Sequence, residues 1–332
     1  SPGRERNILP AIVTAAPLAL WAALRPDSFG DTGVYRTRFR DAPETFRALG
    51  DYLISLPRDR GYGALEVGFK ALLSRSDRWF FLLIAGVQLL CLLWVWRRYS
   101  RNIWLSLYLF VASTDYLSWM WNGTRQFLAA ALIFAALPLL EKRRYGLMVL
   151  AVLAASCFHL SALIFLPAVL AAPGRPWNPR LLAVMGLMTA AILYLDRQAG
   201  LLLPLAERTG STGILEFLGD GGVHPLRALF YAVPTAMCLV FRRRVLEAGD
   251  PMIHLCVNLS AISTALYLAG VFTSGILVGR LPIYFSLANY ILIPWLIEEV
   301  FTPDSAAWVE AGFLVAYAAF FVLQLHWVWG LI

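Results

Sequence analysis

Arg125 and Arg280 stand at the ends of apolar stretches. A guanidinium there is costly unless it snorkels to the headgroups, pairs with an acid or binds an anion. Arg125 belongs to Asn122-Gly-Thr-Arg-Gln126, which opens a hydrophobic run. The planar guanidinium fork stays charged and grips phosphate oxygens two at a time, so two of them could neutralise a departing pyrophosphate. Phe158-His159-Leu-Ser161 places an imidazole between two short apolar stretches. With an ordinary pKa near neutrality, His159 is a candidate to take a proton from a hydroxyl; the alternative is a buried histidine whose nitrogens are satisfied by neighbours. Asp31 and Glu66 flank the longest polar segment, where either is a base, a partner for His159 or an arginine, or solvated surface. Asp115 falls inside an apolar run, which makes it functional or paired, with Arg125 a plausible partner. Gln126, Tyr35 and Arg227 complete the polar set at the ends of the same stretches.

The elements that must hold these groups are hydrophobic helices. The 332-residue chain is 59% hydrophobic and 15% charged, against about a quarter charged for a soluble domain. Mean hydropathy is +0.65. Apolar runs recur from end to end and are continuous rather than alternating, which selects α-helical spans over a β-barrel. The expectation is an all-α polytopic membrane protein, a single integral membrane domain over 1–332 with about 11 transmembrane or half-spanning helices. The spans are read at 8–24, 79–96, 103–121, 124–140, 146–158, 160–172, 181–195, 226–241, 253–271, 281–297 and 308–329. The four cysteines all lie within apolar stretches and read as small core residues.

The net charge of +7 is carried almost wholly by arginine. Short basic loops follow alternate spans, at Arg97, Arg98 and Arg101, at Lys142 to Arg144, at Arg175 and Arg180, and at Arg242 to Arg244, with Arg4 and Arg6 before the first. The positive-inside rule makes that side cytoplasmic and sets the N-terminus there. All the basic clusters stay inside only if 146–172 makes two passes. Each is then about 13 residues, or ~20 Å of helix against a ~30 Å hydrocarbon core, so the tip at His159 should lie in a notch below the outer surface. The long segments fall outside. Residues 25–78 form a large periplasmic loop with ten basic and eight acidic residues and amphipathic helices near 43–56 and 65–73; residues 196–224 form a second. Every candidate residue named above then reaches the outer side.

Missing motifs narrow the chemistry further. There is no GxxxxGK[ST] for nucleotide phosphates, no HExxH or GxSxG of hydrolases, and no DxD-type acidic pair for a nucleotide-bound metal. A metal-independent reaction on a lipid-linked donor, with no cofactor, is the expectation.

The same residues carry a resemblance. Gly30-Asp31-Thr32, Tyr35 and Phe39, then Glu66-Val-Gly-Phe69, Asn122-Gly-Thr-Arg-Gln126, Phe158-His159-Leu-Ser-Ala-Leu163 with Pro167, and Gly279-Arg280 with Tyr284-Phe285 resemble, in order and spacing, the EpsG family of bacterial Wzy-type polysaccharide polymerases. The likeness runs from Asp31 to about Ile297, leaves room for a further hydrophobic segment upstream, and does not include Asp115. It implies a multi-pass protein of the bacterial inner membrane. The donor would be a growing glycan on undecaprenyl pyrophosphate, and the acceptor a lipid-linked repeat unit of O-antigen, capsule or exopolysaccharide. Arg125, Gln126, Arg280 and Tyr35 would contact pyrophosphate or glycan, and His159, Asp31 or Glu66 would act as the base; Asp115 and Arg227 join the binding set on their position at the outer ends of the apolar stretches alone. Tyr35, Tyr52 and Tyr62 would stack on sugars. Membrane lipid, a chain-length-regulating co-polymerase and a flippase are the expected partners, and nucleic acid is not. A transferase adding one sugar or acyl group, and a transporter of lipid-linked saccharide, are the competing readings.

Overall fold

A computed structural model of the chain describes residues 9–201, 222–273 and 278–331. Most of the expected second long loop, and Arg4 and Arg6, lie outside the described residues. Among the described residues every regular element is helical. In chain order these are α1 (Leu9–Leu24), α2 (Thr32–Asp41), α3 (Leu49–Ser55), α4 (Arg60–Leu72), α5 (Asp77–Tyr99), α6 (Ile103–Ala112), a π-turn (Tyr116–Asn122) and α7 (Thr124–Glu141). There follow α8 (Tyr145–Ser156), a 3-10 turn (Leu160–Phe165), α9 (Leu166–Ala171), α10 (Pro179–Leu201), α11 (Pro225–Val240) and α12 (Arg242–Glu247). The chain finishes with α13 (Pro251–Val271), a 3-10 turn (Val278–Arg280), α14 (Ile283–Ser286), α15 (Asn289–Val300) and α16 (Pro303–Trp327).

Among the described residues, five helices are long and apolar enough to cross a membrane: α5, α7, α10, α13 and α16. The count is up to six if the bent pair Val278–Ser286 and Asn289–Val300, which turns through 52°, is one span. The shorter apolar helices Leu9–Leu24, Ile103–Ala112, Tyr145–Ser156, Leu160–Ala171 and Pro225–Val240 account for other stretches read as spans. Polar residues start these helices where caps are needed. Asn102 accepts the Trp104 and Leu105 amides at α6, and Asp250 accepts those of Met252 and Ile253 at α13. Pro225, Pro251 and Pro303 occupy first turns, where a missing N–H costs nothing.

The structure departs from the sequence reading in three places. The stretch 103–121 is broken: α6 ends at Ala112, Thr114 takes a left-handed backbone (φ +67°), and the chain continues as a π-turn. The stretch 281–297 is kinked between Ser286 and Asn289. Residues 32–41, which sequence periodicity did not mark, form α2, while 43–56 yields only a 3-10 turn and the short α3.

The chain groups into two compact units, one of 1–137, 146–163 and 297–332, the other of 138–145 and 164–296. In the first, α1 packs along α5, α6 meets α16, and α3 folds on α4. The segment 25–78 is mostly helical and is fixed to this frame by aromatic residues at helical spacing. Tyr35 and Phe39 on α2, and Tyr62 and Phe69 on α4, join Phe80, Phe81 and Ile84 of α5 and Leu128 of α7 in one buried cluster. Lys70 secures the end of α2 by donating to the carbonyls of Phe39, Arg40 and Ala42. In the second unit α13 is the central helix, packed on α10, α11 and α14. Its Ser260 and Thr264 hydrogen bond to Thr235 of α11, each at 2.8 Å.

Candidate active site

In the first unit, three helix ends are drawn together by a buried cation. Arg25, just past α1, is 1% exposed. Its Nε donates to Thr32 Oγ1 at 3.0 Å, Nη1 to the Ala22 carbonyl at 2.6 Å and Nη2 to Thr124 Oγ1 at 3.3 Å. The guanidinium lies 4.4 Å from the centroid of the Phe81 ring. Burial brings its pKa down to about 10, so it stays charged at neutral pH. This pin ties the start of α2 to the start of α7, and α5 adds a strut: Gln88 Nε2 donates to the Thr124 carbonyl at 2.9 Å.

Two of the sequence motifs meet at this point. The Asp31 backbone N–H donates to Asn122 Oδ1 at 2.8 Å, joining Gly30-Asp31-Thr32 to Asn122-Gly-Thr-Arg-Gln126. Gly30 makes the approach possible. Its φ is +49°, and a Cβ at that position would overlap the Asn122 side-chain amide. Gly30→Ala is therefore expected to lower stability by roughly 1–3 kcal/mol. It should also pull Asn122 away from the start of α7; thermal unfolding in detergent and a glycan-length assay would register both. The π-turn that ends at Asn122 is itself a local irregularity of the kind that collects at functional sites.

Arg125, on the first turn of α7, forms an ion pair with Asp59, Nη1 to Oδ2 at 2.6 Å. Its guanidinium sits 5.5 Å from the centroid of the Tyr35 ring. Asp59 precedes α4 with φ +58° and ψ +41°, an uncommon backbone for a residue other than glycine. Two residues on, the Gly61 N–H donates to the Cys157 carbonyl at 2.8 Å. A Cβ on Gly61 would stand 2.8 Å from Cys157 Cβ, so this contact is between backbones in close approach. Cys157 lies in the break between α8 and the 3-10 turn, two residues before His159. The loop that holds Arg125 through Asp59 is thus bonded to the break that carries His159. The imidazole is half-buried, with Nδ1 2.7 Å from Ser161 Oγ.

A second arginine–carboxylate pair stands beside the first. Arg38 Nε of α2 donates to Glu66 Oε2 of α4 at 3.0 Å, and the Tyr52 hydroxyl donates to the same oxygen at 3.2 Å. Glu66 is fully buried, and burial raises its pKa against the opposing pull of Arg38 and Tyr52. Tyr52 in turn is pushed up to about 12 by its own burial and by the Glu66 charge. Tyr62 lies under Arg38, 5.5 Å from guanidinium carbon to ring centroid, and its ring is 6.5 Å from that of Tyr35. The carboxylates form the floor: the side chains of Asp59 and Glu66 are 2% and 1% exposed, those of Arg125 and Arg38 20% and 19%. Five buried atoms here have no hydrogen-bond partner among the described residues: Asp59 Oδ1, Glu66 Oε1, Tyr62 Oη, Arg38 Nη2 and Arg125 Nε.

Of the residues singled out by sequence, Asp31, Tyr35, Glu66, Arg125, Gln126, Asp115 and His159 all belong to this first unit. Asp31 is half-buried and Gln126 buried. Asp115 is buried and accepts the Trp119 indole N–H at 3.1 Å, while the carboxylate that takes Arg125 is Asp59. Arg227 and Arg280 belong to the second unit. Arg227 lies 5.8 Å from the Tyr231 ring centroid, and Tyr231 stacks on Tyr267; Arg280 is exposed in the 3-10 turn before α14. Sequence reasoning did not single out Arg25, Arg38 or Asp59.

What this arrangement can do is hold an anion at guanidiniums that are about one-fifth exposed, with buried carboxylates at hand to accept a proton. Comparison with known proteins agrees in kind. No curated protein and no solved structure matches the chain. The model of the EpsG family, a family of Wzy-type polymerases, matches residues 8–328, nearly the whole chain. With its membrane-capable helices and a family of polysaccharide polymerases behind the match, the chain is a multi-pass membrane protein and belongs to the EpsG family.

Proposed function

We propose that the protein polymerises lipid-linked oligosaccharide repeat units at the periplasmic face of the bacterial inner membrane. The acceptor's sugar hydroxyl oxygen attacks the anomeric carbon of the donor glycan. The bond from that carbon to the diphosphate oxygen breaks, and its electron pair leaves with undecaprenyl pyrophosphate. The hydroxyl proton passes to a carboxylate. Arg125, held by Asp59, takes the developing negative charge on the diphosphate. Glu66 is the proton acceptor: burial raises its pKa towards the working range of a base, and Oε1 is left to accept. Gln126, Asp31, His159 and Asp115, all of the same unit, are assigned positioning roles. The arginines supply the charge neutralisation that a metal supplies elsewhere, so the reaction runs without metal or cofactor. Eleven spanning or half-spanning segments, with a cytoplasmic N-terminus, put 25–78 and the site outside. A chain-length-regulating co-polymerase and a flippase are its partners there.

The observation that carries this reading is the pair of arginine–carboxylate contacts, Arg125–Asp59 and Arg38–Glu66, built on one side of the frame formed by α1, α5 and α7. The test is extension of defined lipid-linked repeat units by purified protein in detergent, read as a ladder of lengths. A ladder is expected. Addition of a single sugar would indicate a one-step transferase, and movement across a vesicle without extension would indicate a transporter; either would overturn the proposal.

A further inference from the structure

Four of the unpartnered atoms, Arg38 Nη2, Glu66 Oε1, Asp59 Oδ1 and Tyr62 Oη, have a pattern that a diphosphate does not match. Diphosphate oxygens only accept at neutral pH, and beside Arg38 they would meet the Glu66 carboxylate. Glu66 already balances the charge of Arg38. What remains is a mixed set: Arg38 Nη2 can only donate, Glu66 Oε1 and Asp59 Oδ1 as carboxylates accept, and Tyr62 Oη can do either. Each ion pair is made through one nitrogen and one oxygen, so a ligand can use the remaining atoms without breaking it. Vicinal sugar hydroxyls are groups that donate and accept at adjacent positions.

We propose that Arg38, Glu66, Tyr62 and Asp59 form a saccharide subsite that binds hydroxyls of the acceptor's terminal sugar beside the Arg125 diphosphate position. The sugar enters past the Arg38 side chain, which is 19% exposed where Glu66 and Tyr62 are buried. One of its hydroxyls then lies against Glu66 Oε1, and a neighbour bonds Tyr62 Oη and Arg38 Nη2. The assignment rests on the polymerase reading but makes a claim of its own: this subsite recognises sugar, with or without lipid or diphosphate.

Tyr62→Phe isolates the claim. The hydroxyl it removes is fully buried and has no partner among the described residues, so its loss should leave the melting temperature unchanged or raise it. The probe is the free repeat-unit oligosaccharide, released from its lipid carrier by mild acid. Binding to the purified protein is measured by calorimetry, with inorganic pyrophosphate run in parallel. The wild type is expected to bind the oligosaccharide. Tyr62→Phe should bind it about three- to tenfold more weakly and bind pyrophosphate as before. Arg38→Lys, which keeps a cation for Glu66 but loses Nη2, should weaken oligosaccharide binding in the same sense. No oligosaccharide binding by the wild type, wild-type affinity in both variants, or equal loss of pyrophosphate binding would overturn the subsite. If the wild type makes a ladder from lipid-linked repeats while Tyr62→Phe is indistinguishable from it, the subsite fails and the polymerase reading stands. If it binds oligosaccharide as described but makes no ladder, the polymerase reading fails and the subsite stands.

Discussion

Arg125→Ala should reduce chain extension by at least ~10²-fold, the scale on which removal of a single charge-stabilising donor slows a reaction. The expected product is the single lipid-linked repeat unit, with the long ladder gone. The size of the effect follows from where the guanidinium sits. Asp59 holds it at 2.6 Å from behind and Tyr35 lies against its face, so it meets substrate already oriented. Arg125→Lys should fail almost as badly, because an ammonium cannot reproduce the planar fork. The alanine variant also strands the nearly inaccessible Asp59 carboxylate, and breaking a buried pair in this way can cost about 3–5 kcal/mol. A second substitution separates folding from chemistry. Asp59→Asn with Arg125→Ala removes the stranded charge, so stability should recover while extension stays lost. Recovery of extension in the double variant would remove Arg125 from the reaction.

Glu66→Gln should lower extension by ~10²–10⁴-fold, the usual contribution of a general base. Its pH behaviour carries a sign that a purely structural carboxylate would not show. Burial raises the folded-state pKa of Glu66 above its ordinary value. Between those two values the folded protein binds more protons than the unfolded chain, so this group's contribution to stability is greatest below that window. It falls as pH rises through the folded pKa. Activity runs the other way, because a base must be ionised, so the rate should climb with pH through the same raised pKa. Rates for extension, and melting temperatures over the same pH range, should therefore slope in opposite directions in the wild type. Both slopes should disappear in Glu66→Gln. A residual rate in the variant with an unchanged acid limb would assign that limb to another group, with His159 the first to examine.

The helices were legible where hydrophobicity alone decides. The apolar runs around Asp77–Tyr99, Thr124–Glu141 and Pro251–Val271 are long and continuous, and the structure holds helices there. The break after Ala112 was not legible. After Ser113, Thr114 and Asp115 the stretch is mostly apolar again through Trp121, and the left-handed turn falls on Thr114, a β-branched residue that rarely takes that backbone. Helix α2 was hidden for the opposite reason. Arginine and aspartate dominate Thr32–Asp41, and only Tyr35 and Phe39, four residues apart, betray a buried face.

The site followed the same division. Arg125, Glu66 and Tyr35 stand out by type and setting, and they gather in one unit. Asp59 sits in Pro57-Arg-Asp-Arg60, where any reader sees solvated loop charge; only the fold reveals that its carboxylate turns inward. Arg38 is one of several alternating arginines on α2, and its partner lies 28 residues away. Long-range pairing of this kind leaves no periodic trace. Arg25 resembles a headgroup anchor, because a cation just after an apolar span usually is one.

That arginine also bears on how the chain is made. Its acceptor Thr124 lies 99 residues further along, so α1 enters the bilayer while the hydroxyl that will receive Arg25 is still untranslated. Until then the guanidinium must keep its hydration, which holds the end of α1 at the interface and leaves α2 undocked. Insertion of α7 is the event that lets the cation be sealed in. Assembly of the candidate site is therefore ordered by translation itself: the segment 25–78, though synthesised early, can adopt its final position only after Thr124 of α7 has arrived.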